Sequence, residues 1–299
     1  MPDIEDDVAA QPRECGAAAA AAAAAGPPEA VPPPTAMPPN GAKRVLLHSC
    51  CAPCSGAMVE EMVEKAGLEV TVFFYNPNIH PRKEYEIRKE ENKRFAEHLG
   101  IPFVDCDYDS DEWYARAKGM EYDPERGARC TMCFDMRMER TALYAHEHGF
   151  DAFTTTNATS RWKDVEQVNA SGIKAAKAYG GAPAYWVYDW QTDGMTLRKY
   201  QISAQHRFYK QEYCGCSYSL RDSNLYRKQK GLPPVKIGGE EAGLGERWFT
   251  DPEADAAEES REVVDDFFKS AETQFDSERL QKLYAGRARD AGAAEGNNW

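Results

Sequence analysis

Short apolar runs and amphipathic segments alternate along residues 43–238. Five runs have the length and composition of buried strands: residues 44–48, 69–75, 102–106, 152–156 and 185–190. Between them apolar residues recur at helical spacing, and glycines stand where helices would end. This alternation predicts right-handed βαβ units and a parallel sheet. We therefore predict an α/β fold with a doubly wound, mostly parallel five-stranded sheet of the Rossmann-like kind.

The first predicted helix begins after Pro53 and ends before Gly67, and the others cover residues 83–99, 130–148, about 160–179 and 200–212. In a doubly wound sheet, ligands bind outside the carboxyl ends of the strands. Every predicted strand ends in polar or sulfur-bearing residues, so these side chains should meet at one edge. We expect a single functional site there.

The two ends of the chain differ from this middle part. Residues 1–42 are rich in Ala, Pro and acidic groups without apolar periodicity, which predicts a disordered leader. Residues 239–299 are dominated by Gly, Ala and acids, which predicts a mostly flexible, acidic C-terminal extension. Residues 43–238 are the predicted catalytic domain. They carry 28 basic and 27 acidic residues, so the net charge of −13 comes from the ends, and the domain's charge permits a polyanionic partner.

The chain contains no apolar run of about 18 residues, so we expect no membrane span. The alanine run at residues 17–25 lacks the charged start and leucine-rich middle of a secretory signal. Acidic residues such as Asp3 and Glu5 fit an organellar transit peptide badly, although organellar import stays open. We expect an intracellular, cytoplasmic protein.

Two groups of cysteines have metal-ligand spacing. Cys50 and Cys51 are followed by Cys54, and Cys130 precedes Cys133 by three positions. Thiolates separated by two residues can reach one metal or one cluster edge. A structural Zn²⁺ bound by four cysteines is the plainer interpretation. Five cysteines at the functional edge of a sheet exceed what a closed zinc site needs, and this favours an iron–sulfur cluster.

Cys214-Gly215-Cys216 is a third sulfur motif. A disulfide across one residue is strained and easily reduced, and glycine relieves the backbone crowding. A redox-active pair is one hypothesis; two inert small residues in a loop, or two further metal ligands, are the others.

Other candidate side chains lie at the same predicted edge. Asp107 follows the third strand and is a candidate for metal binding or proton transfer, although capping the next helix is the commonest role of such acids. His48 is a second candidate proton donor. Basic and aromatic residues suited to phosphate and bases are Arg82, Lys83, Arg161, Trp162, Lys163 and Trp190.

Five ordered motifs resemble the QueH-type epoxyqueuosine reductases. They are V-L-L-H-S-C-C-A-P-C, F-F-Y-N-P-N-I-H-P-R-K-E-Y, R-C-T-M-C-F-D-M-R-M-E-R-T-A, F-T-T-T-N-A-T-S-R-W-K-D and Y-C-G-C-S-Y-S. The resemblance runs from about residue 44 to residue 227. It implies a nucleotide α-hydrolase-like fold and an oxidoreductase of queuosine biosynthesis. The implied reaction is deoxygenation of epoxyqueuosine to queuosine at the wobble position of tRNA, without cobalamin.

The resemblance also implies roles for individual residues. It places a [4Fe–4S] cluster on Cys50, Cys51, Cys130 and Cys133, and a redox-active disulfide on Cys214 and Cys216. The family can hold a second, mononuclear iron, for which Cys54 and Asp107 are the candidate ligands here. The reaction then needs an external electron donor, which the sequence does not identify.

Two other functions stay open at this stage. A tRNA- or nucleotide-binding module with a structural four-cysteine zinc site predicts a colourless protein without acid-labile sulfide. A thiol–disulfide oxidoreductase that uses Cys214 and Cys216 alone predicts activity without Cys130 and Cys133.

Overall fold

The computed structural model describes residues 31–160 and 162–238. The predicted extension at 239–299, most of the predicted leader and Arg161 lie outside these residues. The strands are β1 (Arg44–His48), β2 (Glu69–Phe74), β3 (Phe103–Asp105), β4 (Ala152–Thr155) and β5 (Ala184–Tyr185). The helices are α1 (Ala52–Glu60), α2 (Arg82–Leu99), α3 (Ser110–Ala117), α4 (Ala128–Glu147), α5 (Val165–Lys177), α6 (Asp193–Gln205) and α7 (Ser217–Gln229).

The five strands form one parallel sheet in the order β3-β2-β1-β4-β5. The direction of the order reverses at β1, whose neighbours are β2 and β4. Arg44 pairs with Glu69 on one side, and Val45 pairs with Ala152 on the other. The predicted doubly wound α/β fold is confirmed. Such a reversal opens a crevice at the carboxyl ends of the two central strands, and β1 and β4 meet there.

The helices pack in two groups on this sheet. One group contains α1, α2 and α6, and the other contains α3, α4 and α5. Right-handed crossovers place these groups on opposite faces. A core cluster joins β1, α1, α4 and α5 through residues such as Leu47, Met58, Phe134 and Val168. This packing fixes the positions of α1, which carries Cys54, and of α4, which carries Cys130 and Cys133.

Three elements differ most from the sequence prediction. Strand β5 pairs over two residues only, because Trp186 and Trp190 continue as a packed aromatic corner instead of a ladder. Helix α6 begins seven residues earlier than predicted, where the Thr192 side chain caps it by accepting from the Met195 amide. Helix α7 was not predicted. Its N-cap is Cys216, which the sequence presents as a redox residue.

Part of the predicted leader contacts the sheet. The Thr35 amide donates to the Val187 carbonyl (2.9 Å), and the Trp186 indole donates to the Thr35 carbonyl (3.1 Å). Pro38 and Ala42 are buried. The structure therefore attaches the chain to the domain from about Thr35, earlier than residue 43.

None of the helices in residues 31–160 and 162–238 has both the length and the hydropathy needed to cross a bilayer.

Candidate active site

The first cysteine group lies at the crevice between β1 and β4. Cys50 and Cys51 follow β1 directly, and α1 begins at Ala52 without a side-chain cap. The Thr156 hydroxyl, just beyond β4, accepts from the Cys50 amide (3.1 Å) and donates to the Cys50 sulfur (3.5 Å). This hydroxyl joins the two central strand ends. The chain bends sharply after β1, and this bend turns both thiols into one region.

Cys50, Cys51 and Cys54 interact with one another. The Sγ atoms of Cys50 and Cys51 are 3.8 Å apart. Hydrogen bonds from the Cys51 and Cys54 thiols hold the pKa of Cys50 well below its usual range, whereas the same bonds raise the pKa of both donors. The side-chain Nε2 of Gln211 also donates to the Cys51 sulfur (3.1 Å). Among these three sulfurs, the surroundings favour the thiolate at Cys50.

The second cysteine group opens helix α4. Cys130 and Cys133 lie in its first two turns, and no side chain caps this helix start. The Arg126 amide donates to the Cys130 sulfur (3.3 Å), but burial raises the pKa of Cys130 to about 12. The N-terminus of α4 carries partial positive charge, which favours a thiolate. Burial opposes this effect and keeps the Cys130 thiol protonated. A bound metal would supply the remaining driving force for deprotonation.

The third motif forms the loop before α7. Cys214 is exposed, and Cys216 is half-buried with its sulfur accepting from the Ser219 amide (3.3 Å). The Ser219 hydroxyl accepts from the Cys214 amide (3.2 Å) and donates to the Glu125 carboxylate (2.7 Å). Desolvation by the protein atoms around the sulfurs raises the pKa of both thiols, although the Cys214 residue as a whole is exposed. All eight cysteines in the described residues, Cys214 and Cys216 among them, are free.

Electrostatic interactions connect the three sulfur groups. The ammonium of Lys163 interacts with Cys50 and Cys54 of the first group and with Cys214 of the third. Burial acts to lower the pKa of Lys163, and these sulfurs together outweigh it and raise that pKa. The charges of Cys133 and Arg137 also act on Cys214. The strand end of β1, the start of α4 and the loop before α7 therefore face one region.

The two candidate proton donors differ in their surroundings. Asp107 is half exposed and pairs with Arg140 of α4 (3.7 Å). His48 is fully buried: its Nε2 donates to the Tyr75 carbonyl (3.0 Å), and its Nδ1 accepts from the Thr155 hydroxyl (2.8 Å). Burial lowers the pKa of His48 to about 3, helped by the Arg137 charge. His48 is therefore a neutral structural group near neutral pH and unsuited to donate a proton.

The predicted basic and aromatic residues separate into three locations. Lys163 lies in the site, whereas Trp162 is 63% exposed and its carbonyl accepts from Arg126 Nε (3.0 Å). Arg82 and Lys83 begin α2, and Arg82 pairs with Glu86 (3.4 Å). Trp190 is buried against Trp186 and Tyr188, so the hypothesis that Trp190 stacks on a base is wrong.

A single metal ion and a four-iron cluster make different demands on their ligands. A tetrahedral zinc ion binds four ligands at one point, whereas in a four-iron cluster each thiolate binds a different iron. Within the described part of the chain, no three Cys, His, Asp or Glu side chains converge closely enough to hold one metal ion.

Several residues of this region had no signal in the sequence. Gln211 contacts the Cys51 sulfur from 160 positions away, and Glu125 contacts the Cys214 loop through Ser219, 94 positions away. Thr156 and Ser219 did belong to patterns, the threonine run at the end of β4 and the motif Y-C-G-C-S-Y-S. Long-range contacts of this kind follow from the fold, and no local spacing predicts them.

Comparison with known proteins gives a consistent family. The family model of epoxyqueuosine reductase QueH matches residues 45–222. The chain is 57% identical to epoxyqueuosine reductase QueH of Haemophilus influenzae over 67% of this chain and 80% of the relative. It is 56% identical to the protein of that name from Acinetobacter baylyi, over 67% of this chain and 90% of the relative.

A solved structure, the U34-tRNA thiolase NcsA from Methanococcus maripaludis with its [4Fe–4S] cluster, aligns with a TM-score of 0.39 and 11% identity. The alignment covers 69% of this chain and 71% of that one. A likeness this remote assigns neither activity nor cofactor. The family model, by contrast, spans every cysteine motif described above, and together with the two relatives it shows that this chain belongs to the QueH family of epoxyqueuosine reductases, oxidoreductases of queuosine biosynthesis.

Proposed function

We propose that this protein reduces epoxyqueuosine to queuosine at the wobble position of tRNA, with a [4Fe–4S] cluster on Cys50, Cys51, Cys130 and Cys133. The observation that carries the proposal is that the three sulfur groups interact at the crevice between β1 and β4: Lys163 acts on the first and third groups, and Cys133 of the second acts on Cys214. Ligand sites of doubly wound sheets lie at this crevice. Family membership supplies the substrate.

The residues fit an anionic iron–sulfur cluster. Four thiolates give such a cluster a net negative charge, and Lys163, Arg137 and the uncapped starts of α1 and α4 supply compensating positive charge. The Thr156 hydroxyl and the Arg126 and Gln211 nitrogens donate to sulfur. Donors to sulfur tune the reduction potential of such centres. The cluster supplies electrons one at a time when bound.

The Cys214 and Cys216 thiols can supply the electron pair. Removing the epoxide oxygen as water leaves an alkene and requires two electrons and two protons. Oxidation of the two thiols to one disulfide releases that number of each. The raised pKa of both thiols keeps the protons in place near neutral pH. An external electron donor must then reduce the disulfide before the next turnover.

Cys54 and Asp107 remain the proposed ligands of a second iron. Cys54 supports this role because its thiol already interacts with Cys50. Asp107 is engaged by Arg140 in the structure, so it would have to exchange that partner for the metal. As a Lewis acid, an iron there would act on the leaving oxygen.

The proposed tRNA surface surrounds this crevice. Trp162 offers an exposed ring on which a base can stack, and Lys163 and Arg126 flank it. Arg82 and Lys83 contribute charge from the start of α2, and Arg161 lies next to Trp162 in the sequence. A Trp162→Ala protein should lose tRNA affinity and retain its cluster.

The test of the proposed dithiol uses the cluster-loaded Cys214→Ser/Cys216→Ser protein with epoxyqueuosine-containing tRNA under anaerobic conditions. We expect no more than a trace of queuosine, with the iron and sulfide content of the wild type. Full turnover by this variant would remove the dithiol from the mechanism and leave electron delivery to the metal centre.

A further inference from the structure

One face of α2 buries four polar side chains that the proposed chemistry does not use. Glu84, Arg88, Glu91 and Asn92 are each at most 2% exposed. Their spacing of three or four residues places them on one side of the helix. Burying charge is costly unless it is paired, and an apolar pair of similar volume is often at least as stable. Stability alone therefore does not explain this face.

Arg88 connects the face to the Cys214 loop. Its Nη1 donates to the Cys214 carbonyl (3.1 Å) and its Nη2 donates to the Tyr213 carbonyl (3.2 Å). Glu84 Oε1 accepts from Arg88 Nε (2.7 Å), so the guanidinium is held from both sides. The fixed fork of an arginine suits two adjacent acceptors, which a lysine cannot engage in the same way.

Glycine at position 215 allows the close approach. Its φ is +135°, and a Cβ added there would lie 3.1 Å from Arg88 Nη1. The Gly215 carbonyl accepts from the His80 amide (2.8 Å), one residue before Pro81 and the start of α2. The Cys214–Cys216 loop is therefore seated on the first half of α2.

The other end of this face contacts Ser49, the residue before the first cysteine group. Asn92 Oδ1 accepts from the hydroxyl of Ser49 (2.6 Å), the residue before Cys50, and Asn92 Nδ2 donates to the Arg88 carbonyl (2.7 Å). Glu91 Oε2 accepts from the Tyr209 amide (3.0 Å), and the Tyr209 hydroxyl donates to Glu84 Oε2 (2.7 Å). One rigid helix thus contacts both sulfur-bearing segments.

We propose that Arg88, oriented by Glu84, is a positioning residue that sets the place of the Cys214–Cys216 dithiol relative to the Cys50–Cys51 turn. Its relevance to turnover rests on the proposed function, in which the two thiols supply electrons to the substrate. The positioning itself is a property of the loop and can be measured without turnover.

The test is Arg88→Lys in the full-length, cluster-loaded protein. A lysine keeps the positive charge and can still pair with Glu84, but it cannot donate to the Cys214 and Tyr213 carbonyls at the same time. We expect the iron and sulfide content of the wild type, and alkylation of the half-buried Cys216 by iodoacetamide about threefold faster or more, because the loop opens. Turnover should fall about tenfold or more at unchanged KM for tRNA, since a misplacement of about 1 Å can cost on the order of 100-fold.

Two further variants separate positioning from loss of stability. Val70→Ala creates a cavity at the start of β2, near the opposite edge of the sheet, and should leave Cys216 alkylation at the wild-type rate. Glu84→Met/Arg88→Met removes both buried charges together and should fold, and it replaces Arg88→Lys if that protein does not accumulate. An unchanged Cys216 alkylation rate in the Arg88 variant that folds overturns the proposal, and so does equal acceleration in Val70→Ala.

These outcomes are independent of the proposed function. Full turnover by Cys214→Ser/Cys216→Ser would exclude the dithiol from the reaction, yet faster alkylation in the Arg88 variant would still show that Arg88 holds the loop. Conversely, loss of turnover in Cys214→Ser/Cys216→Ser with an unchanged alkylation rate in the Arg88 variant would support the dithiol chemistry and show that Arg88 does not position the loop.

Discussion

At the scale of single residues, burial decides which candidate groups can exchange protons. His48 ends β1 and His80 lies in the segment after β2, and burial lowers the pKa of His48 to about 3 and of His80 to about 4. The sequence shows a histidine near cysteines but not whether water reaches it. The spacing of the cysteines predicts sulfur chemistry, whereas the protonation of each group depends on atoms brought together by the fold.

These two histidines predict a pH dependence of stability in the cluster-free protein. Unfolding returns both pKa values to about 6.5, so between pH 6.5 and 4 the unfolded chain binds protons that the folded chain does not. The free energy of unfolding should therefore fall as the pH is lowered, by about 1.4 kcal/mol per pH unit for each histidine. Urea titrations at pH 7 and pH 5 measure it. His80→Asn should remove about half of this histidine contribution, and parallel curves for the two proteins would contradict the account.

At the scale of elements, the pattern of apolar residues predicted most of the sheet. Strand β1 has the predicted bounds, and β2, β3 and β4 differ by one or two residues at their ends. Helix α7 was missed because Cys216 caps it, and a cysteine is not a usual cap. The seating of the Cys214 loop on α2 was not predictable either, because Arg88 and Cys214 are 126 positions apart.

Helix α5 packs closely on β5, which predicts opposite effects for two glycine-to-alanine changes. A Cβ at Gly172 of α5 would overlap the Tyr185 ring, whereas a Cβ at Gly194 in the first turn of α6 meets nothing within 4 Å. Gly172→Ala should lower the free energy of unfolding by about 1–3 kcal/mol through overpacking. Gly194→Ala, the matched control, should raise it by up to about 1 kcal/mol. Urea denaturation of both proteins checks the signs; stabilisation by Gly172→Ala would show that α5 is not seated as described.

At the scale of the whole molecule, one parallel sheet brings cysteines from three distant segments to a single edge. The sequence predicted this edge because the alternation of strands and helices along the chain and the polar residues at strand ends are local patterns. It placed the start of the domain at residue 43, whereas Thr35 already bonds to the segment after β5. A lone hydrogen-bonding residue in a Pro-rich stretch has no pattern that marks it.

Two truncations test where the domain begins. Removal of residues 1–30 should leave the melting temperature and the cluster content unchanged. Removal of residues 1–42 also deletes the Thr35 bonds and leaves the Trp186 indole without its acceptor, which should cost about 1–3 kcal/mol of unfolding free energy. Thermal melts of the two proteins measure the difference. Equal melting temperatures would show that residues 31–42 contribute nothing to the domain.

The most direct test of the central claim is queuosine formation in epoxyqueuosine-containing tRNA by anaerobically reconstituted protein, with iron and acid-labile sulfide measured on the same samples for the wild type and Cys130→Ser. If Cys130 is a ligand of the proposed cluster, we expect at least four iron and four sulfide per wild-type chain, with turnover, and the loss of both cluster and turnover in Cys130→Ser. A colourless wild-type protein with one Zn²⁺ and no sulfide, or full turnover by Cys130→Ser, would contradict it.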